Sequence, residues 1–292
     1  DSVTAALQRR GMSLRLVVHP VLKVERDTGG KLQAVAAATE GDVPNEREQP
    51  AHRLESIMHI ELNRIADKER QSSLLRSVKK VLDDVAAAVR DWSKMREICA
   101  QMSNRVHDYA QGLEAETASR AHEEAVAFLR WMTDDHFTFL GYRHYRFVGE
   151  GEALNLEIDH DDGLGILADQ AYSVFDGLRN FQELPGNAQD LFLRESPIFL
   201  TKSNRPATVH RAVPMDAVIL KDRDEDGNPV GEHLFLGLFT SIAYNRSARD
   251  IPYLRAKVQR AIAAAGLPEQ SHTGKALAHI LDTYPRDELF QM

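Results

Sequence analysis

The chain has 292 residues, of which 43% are hydrophobic, and a formal net charge of −8, so it can bury one large or two ordinary globular cores. The acidic balance argues against a nucleic-acid-binding surface, which needs basic side chains, and no run is long and apolar enough to predict a membrane span. The single cysteine, Cys99, excludes an internal disulfide and favours a reducing cytoplasm.

The first part of the chain predicts strands. Apolar and polar residues alternate from Leu14 to Glu25, which indicates one strand with a buried face. A turn at residues 27–30 leads to a second strand, residues 32–38, and residues 54–62 predict a third.

A long helix follows, with apolar residues three and four positions apart. This spacing indicates a stripe that packs on the core, formed by Leu75, Val78, Leu82, Val85, Val89 and Trp92. With the preceding strands, the order of elements resembles the later part of a βαββαβ unit of the ACT type, a small α+β sandwich often used to bind amino acids. Residues 93–133 continue the helical spacing and are interpreted as a rigid helical connector.

The stretch Asp134–Phe147 divides the helical part of the chain from a strand-rich part. Its aromatic and β-branched residues occupy both parities, which predicts a strand covered on both faces. Gly141 within it indicates a bulge or a close backbone approach.

Further elements are marked by turn and capping residues. Residues 226–229 predict a hairpin turn. Two helices are predicted after it, residues 251–265 with Asp250 or Ser247 as N-cap, and residues 273–282 with Ser271 as N-cap.

Several motifs imitate cofactor or metal sites without their context. Residues 163–168 match G-x-G-x-x-A, but the preceding segment is acidic and would repel a pyrophosphate, so a turn is predicted. Residues 222–227 imitate the start of an EF-hand loop, but position twelve is His233 and strands flank the loop. The 12 histidines show no metal spacing and Cys99 reads as a buried small hydrophobe, so neither a metal nor a cofactor is predicted.

Two polar groups are candidates for binding a small ligand. Backbone N–H groups at a strand-to-helix loop, together with cationic side chains, suit a carboxylate. The alternative is that these residues form caps, turns and surface salt bridges. The candidates are Lys202, Asn204, Arg205, Arg211, Asn245, Arg246 and Ser247.

Four long, irregular stretches carry a resemblance to a known family. The chain resembles the N-terminal, non-catalytic region of the large bacterial NAD-specific glutamate dehydrogenases. The likeness extends over essentially the whole chain and is densest at residues 134–146, 196–221, 237–257 and 271–291.

The resemblance implies a parent enzyme that converts L-glutamate, water and NAD to 2-oxoglutarate, ammonium and NADH. The NAD site and the catalytic residues of such an enzyme follow this segment, so no catalytic residue is carried over and the segment itself is expected to be inactive. Its chain ends suggest a piece of a longer polypeptide. The expected partners are a downstream catalytic domain, further copies in a homo-oligomer and an amino-acid effector.

The expected fold is α+β, with tandem ACT-like (ferredoxin-like) units joined by a helical connector. The boundaries are residues 1–92 for an ACT-like unit incomplete at its start, 93–133 for the connector, 134–270 for a second ACT-like domain and 271–292 for the start of a helical segment. A stand-alone amino-acid-sensing module and a purely structural scaffold remain the alternatives.

Overall fold

The computed structural model describes residues 1–38, 52–113, 116–149, 155–158, 163–174, 196–224, 226–268 and 270–291. The chain divides into two compact units, Asp1–Lys80 and Val81–Met292. Both units combine helices with antiparallel strands, which confirms the α+β class.

The first unit is built around two small antiparallel sheets. β1 pairs with β5, and β2 lies between β3 and β4. The elements are α1 (Ser2–Arg9), β1 (Leu14–Val18), β2 (Val21–Arg26), β3 (Leu32–Ala37), β4 (His52–Ser56), β5 (His59–Leu62) and the start of α2 (Lys68–Gln111).

The strand predicted from Leu14 to Glu25 is wrong in its extent. It is two strands in different sheets, β1 and β2, separated at His19 and Pro20. Proline has no N–H to donate to a ladder, so it ends the pairing of β1. The expected buried face is confirmed only at Val24, which is 2% exposed.

The second unit is organised by one large antiparallel sheet with the strand order β7-β6-β11-β10-β9, and β8 also pairs with β6. Its elements are the rest of α2, α3 (Glu116–Trp131), a π-type turn (Met132–His136), β6 (Phe137–Val148), β7 (Asn155–Ile158), β8 (Leu164–Gly165), β9 (Ile198–Pro206), β10 (Pro214–Arg223), β11 (Pro229–Phe239), α4 (Ser241–Asn245), α5 (Leu254–Ala264), α6 (His272–Thr283) and α7 (Arg286–Gln291).

Apolar side chains cover both faces of this sheet. The doubly covered strand predicted for residues 134–147 is confirmed from Phe137 to Arg143, whereas the residues before Phe137 form the π-type turn and those after Arg143 are more exposed. One face, here called the aromatic face, carries Phe139, Val218 and Phe235 and shares a core with α2, α3, α5, α6 and α7. The other, the aliphatic face, carries Leu234 and Leu236 and packs against residues that include Ala88, Ile166, Leu167 and Val174.

A β-bulge in β6 decides which residues reach each face. Leu236 pairs with Gly141 and Gly237 pairs with Phe139, so Leu140 is one extra residue in β6. The extra residue keeps Phe139 and Tyr142 in the same core although their sequence parity differs. Tyr145 has the same sequence parity as Phe139, yet it packs against the aliphatic core because the bulge lies between them.

Gly141 serves both purposes that the sequence indicated for it. It lies at the bulge, and a Cβ on it would lie 2.7 Å from Cγ of Leu167. The close approach allows Leu167, fully buried, to pack directly on the backbone of β6.

The prediction that the apolar stripe of α2 packs on the core is wrong. Leu75, Leu82 and Val89 are 71%, 51% and 72% exposed, so the stripe lies at the surface and not in the core. The helix buries an adjacent face formed by Val81, Asp84, Ala88, Met95, Cys99, Met102, Ser103, Val106 and Ala110. Spacing identifies an apolar face but not what covers it. No helix in the described ranges combines the length and apolar character that a membrane crossing requires.

Two helix starts test the capping predictions. Ser271 caps α6 as predicted, because its Oγ accepts a hydrogen bond from the N–H of Gly274 at 2.9 Å. Helix α5 begins at Leu254, after Tyr253 with φ of 69°, so neither Asp250 nor Ser247 is its N-cap. Glu124 of α3 accepts the Tyr253 N–H at 3.0 Å instead, and a partner so distant in sequence leaves no local signal.

Gly141→Ala should destabilise the protein by about 1–3 kcal/mol, because the new methyl group overlaps a fully buried leucine. Gly112→Ala is the control, since its Cβ would meet nothing closer than the Tyr109 carbonyl oxygen at 3.6 Å. Urea unfolding of both variants measures the difference, and equal stabilities would contradict the packing described for Gly141.

Candidate functional site

Two of the seven predicted ligand residues lie at one end of the aromatic face. Lys202 is on β9, and its Nζ lies 2.6 Å from Oδ1 of Asp216 on β10 and 2.7 Å from Oδ1 of Asp287 on α7. Tyr244 of α4 donates its hydroxyl to the same Asp287 oxygen at 2.7 Å. Lys202, Asp216, Tyr244 and Asp287 are called the lysine cluster below.

Arg211 borders the lysine cluster. Its guanidinium donates to the carbonyl oxygen of Phe239 at 2.6 Å and lies over the Tyr244 ring, 5.3 Å from the centroid. The lysine cluster and Arg211 together therefore hold two cations and two carboxylates, so their formal charges cancel.

Burial and charge oppose each other at the two carboxylates. Burial raises the pKa of Asp216, although the Lys202 ammonium and the Phe239 N–H act against the shift. At Asp287 burial would also raise the pKa, but the hydrogen bonds from Lys202 and Tyr244 outweigh it and the pKa is lowered. Asp287 is thus held as a carboxylate by Lys202 and Tyr244.

The other predicted ligand residues are not brought to this cluster. The hydroxyl of Ser247 donates to Asp282 at 2.7 Å, and Arg246 accepts hydrogen bonds from Arg286 through its carbonyl oxygen. Arg205 lies over the ring of Tyr172, 5.6 Å from the centroid. Asn204 and Asn245 are exposed.

The turn predicted for residues 163–168 is confirmed only after Gly165, because Leu164 and Gly165 form strand β8. Gly165 is part of β8, and residues 166–174 after it form turns and bends where a dinucleotide site needs a helix. Asp224, at the tip of the β10–β11 hairpin, accepts hydrogen bonds from the N–H groups of Asp226 and Asn228. Cys99 is buried, and burial raises the pKa of its thiol to about 12, so it is not a nucleophile at neutral pH.

A second polar cluster at the opposite end of the aromatic face was not predicted. His144 of β6, Asp222 of β10 and His233 of β11 place their ligand-type atoms within 4.8 Å of one another, and these residues are called the histidine cluster. The two imidazole rings are stacked, with centroids 4.5 Å apart. Arg105 of α2 donates to Asp222 Oδ1 at 2.9 Å.

Charge stabilises the carboxylate of the histidine cluster. Burial would raise the pKa of Asp222, but the two imidazoles and the Arg105 guanidinium lower it below its usual range. Burial also lowers the pKa of His233, which favours the neutral imidazole. The cluster borders a cavity of about 680 Å³ that Arg105, Tyr109 and His122 also line.

The sequence held a partial signal for this cluster. Asp222 and His233 flank the predicted hairpin turn, and the β10–β11 register places both on one face of the sheet. The sequence alone could not place His144 on this face. By residue alternation from Phe139 it would lie on the opposite face, and only the extra residue of the β6 bulge brings it opposite His233.

The chain matches two profiles of known protein families. The profile described as "Glutamate dehydrogenase, ACT1 domain" covers residues 1–78, and "Glutamate dehydrogenase, helical motif 1" covers residues 251–292.

Three relatives described as NAD-specific glutamate dehydrogenases align with the entire chain. That of Halomonas elongata is 33% identical, that of Pseudomonas aeruginosa 31% and that of Mycobacterium tuberculosis 26%. The chain spans only 17%, 17% and 16% of the length of these three relatives.

Proposed function

We propose that the chain is a non-catalytic, N-terminal region of an NAD-specific glutamate dehydrogenase and that it serves regulation and subunit assembly. The two glutamate dehydrogenase profiles and the alignment of the entire chain with the relatives support this proposal. The whole protein would oxidise L-glutamate with NAD and water to 2-oxoglutarate, ammonium and NADH in the cytoplasm. A downstream domain of the same chain would hold NAD and the catalytic residues.

We place the regulatory architecture in two ACT-like units. The profile match over residues 1–78 supports the first unit, within the proposed boundaries 1–92. The antiparallel sheet covered by helices supports a second within residues 134–270, with 93–133 as connector and 271–292 as the start of the helical segment.

One observation carries the regulatory role: the carboxylate of Asp287 is bound by Lys202 and Tyr244, at residues suited to a ligand carboxylate. The Asp287 side chain is 51% exposed, so a free carboxylate can compete for these donors. Asp287 belongs to α7, within the segment that matches the helical-motif profile.

We infer that the effector is an amino acid or another small carboxylic acid that replaces Asp287 at Lys202. Arg211, beside Tyr244, supplies a second cation for a ligand with two carboxylates. Replacement of Asp287 would free α7 to shift, which offers a physical route from the binding site to the segment that follows.

The exposed stripe of α2 supports the assembly role. Leu82, Val85, Val89 and Trp92 alternate spacings of three and four residues, as in the seam of a coiled coil. Large apolar side chains exposed in a row mark protein–protein contacts. We propose that the same helix of a second copy covers this stripe, because a heptad seam is complementary to itself.

The alternatives are a stand-alone amino-acid-sensing module and a purely structural scaffold. A scaffold would bind no small carboxylate at the lysine cluster. A stand-alone module would bind one without needing a downstream catalytic domain.

The chain alone should form no NADH when it is mixed with L-glutamate and NAD, because the proposed catalytic parts follow it. The absorbance of NADH measures this, with a complete NAD-specific glutamate dehydrogenase as the positive control. Turnover above the protein-free blank would contradict the non-catalytic assignment.

Asp287→Asn should tighten the binding of small carboxylic acids about tenfold, because it removes the internal competitor for Lys202. Calorimetric titration of the variant with the amino acids and 2-oxoglutarate measures the affinity. Glu288→Gln is the matched control, since it removes a carboxylate from the same helix outside the lysine cluster. If neither the wild type nor Asp287→Asn binds any of these acids, the chain is a scaffold at this position.

Val89→Asp should weaken self-association, because it puts a charge in the middle of the exposed apolar stripe. Asp83→Lys changes the charge at an exposed position of α2 that lies about 100° around the helix from Leu82, and this variant should associate like the wild type. Sedimentation velocity over a concentration series measures both variants, and equal effects would remove α2 from the interface.

A further inference from the structure

The histidine cluster is assembled by sheet register and is independent of the lysine cluster. His144 and His233 are direct cross-strand partners on β6 and β11. On β10, Asp222 follows Leu220, the partner of His233, by two residues and therefore projects to the same face. Three strands thus deliver two imidazoles and a carboxylate to one point at the end of the aromatic face.

His233 presents a nitrogen that the protein does not satisfy. Its Nδ1 is hydrogen-bonded to the Tyr142 hydroxyl at 2.8 Å, while its buried Nε2 has no hydrogen-bond partner among the described residues. The Asp222 carboxylate is 3.7 Å from Nε2, which is beyond hydrogen-bond length. The residue is only 5% exposed, so bulk water does not satisfy this atom either.

A bound cation would satisfy this arrangement. With Nδ1–H donating to Tyr142, the Nε2 lone pair of His233 faces Asp222, and a positive ion between them removes the repulsion between the two acceptors. A hydrogen bond that holds the second ring nitrogen is also the usual support of a metal-binding histidine.

We infer that His144, Asp222 and His233 form a binding site for a divalent transition-metal ion of the zinc class. Two imidazole nitrogens and one carboxylate oxygen are a donor set that zinc accepts. Zinc bonds of about 2.0–2.2 Å separate tetrahedral ligands by about 3.3 Å. The Nε2 atom of His144 lies 3.3 Å from Oδ2 of Asp222, close to this spacing, and Nε2 of His233 lies 3.7 Å from Oδ1 of the same carboxylate. All three ligand-type atoms lie within 4.8 Å of one another.

Arg105 is compatible with an ion that is bound through Oδ2 of Asp222, although Oδ1, the oxygen that Arg105 bonds, is the one nearest His233. The Arg105 guanidinium bonds Oδ1 of Asp222, whereas Oδ2 is the oxygen nearest His144. The metal therefore takes Oδ2, and Arg105 orients the carboxylate from Oδ1. Three protein ligands leave a fourth position, and the adjoining cavity gives water or a small ligand access to it.

Zinc titration of protein freed of metal with a chelator tests this inference. We expect one Zn²⁺ per chain by calorimetry, with a rise in unfolding temperature, and a tetrahedral Co²⁺ absorption band when cobalt replaces zinc. His233→Ala and Asp222→Asn each remove a ligand and should weaken zinc binding at least about 100-fold. Tyr142→Phe removes only the support of His233 and should weaken it about tenfold.

His279→Ala is the control, because this histidine is exposed on α6 and outside the cluster. It should bind zinc like the wild type. If the wild type takes up no zinc, the cluster is an ion network of histidine, aspartate and arginine without a metal. If Asp222→Asn and Tyr142→Phe bind zinc as tightly as His279→Ala, the ion is held elsewhere and the assignment is overturned.

Discussion

The extra residue in β6 is the constraint on which the second unit depends. In a regular strand Tyr142 would lie on the face opposite to Phe137 and Phe139, and the core under α2 and α3 would lose it. The bulge at Leu140 resets the alternation, and the absent side chain of Gly141 makes room for Leu167 on the opposite face. One position therefore satisfies both layers of the sheet.

The alternation of side chains along a strand also places the two polar clusters at opposite ends of the aromatic face. Asp216 and Asp222 lie on one face of β10, six residues and about 20 Å apart. Val218 and Leu220 separate them and belong to the apolar core. Each buried carboxylate needs a cation nearby, since an unpaired charge inside a protein is costly. Lys202 provides one at Asp216, and Arg105 provides one at Asp222.

The sequence predicts features whose physical cause is local. The hairpin tip, the Ser271 cap and the doubly covered strand depend on turn chemistry, a side chain beside its own helix and residue alternation. It fails where the partner is distant in the chain. The exposure of Val89 and the binding of the Tyr253 N–H by Glu124 depend on how elements pack. Lys202 and Arg211 were predicted as ligand residues, but their counter-ion Asp287 comes from a segment 85 residues after Lys202.

The attachment of α7 determines what an effector at Lys202 could do. Phe290 of this helix is 2% exposed and stacks on Phe239 at 4.2 Å, and Lys257 donates to the Phe290 carbonyl oxygen at 2.7 Å. Burial of a phenylalanine is worth about 1.5–3 kcal/mol, whereas an ion pair with a half-exposed carboxylate such as Asp287 is screened by solvent and contributes about 0.2–1 kcal/mol. In the proposed binding mode, a ligand carboxylate would displace Asp287 while Phe290 stays anchored. The response would be a pivot of α7 about its apolar end. Detachment of the whole helix would expose Phe290, and the free energy lost would exceed the free energy gained from the ligand contact.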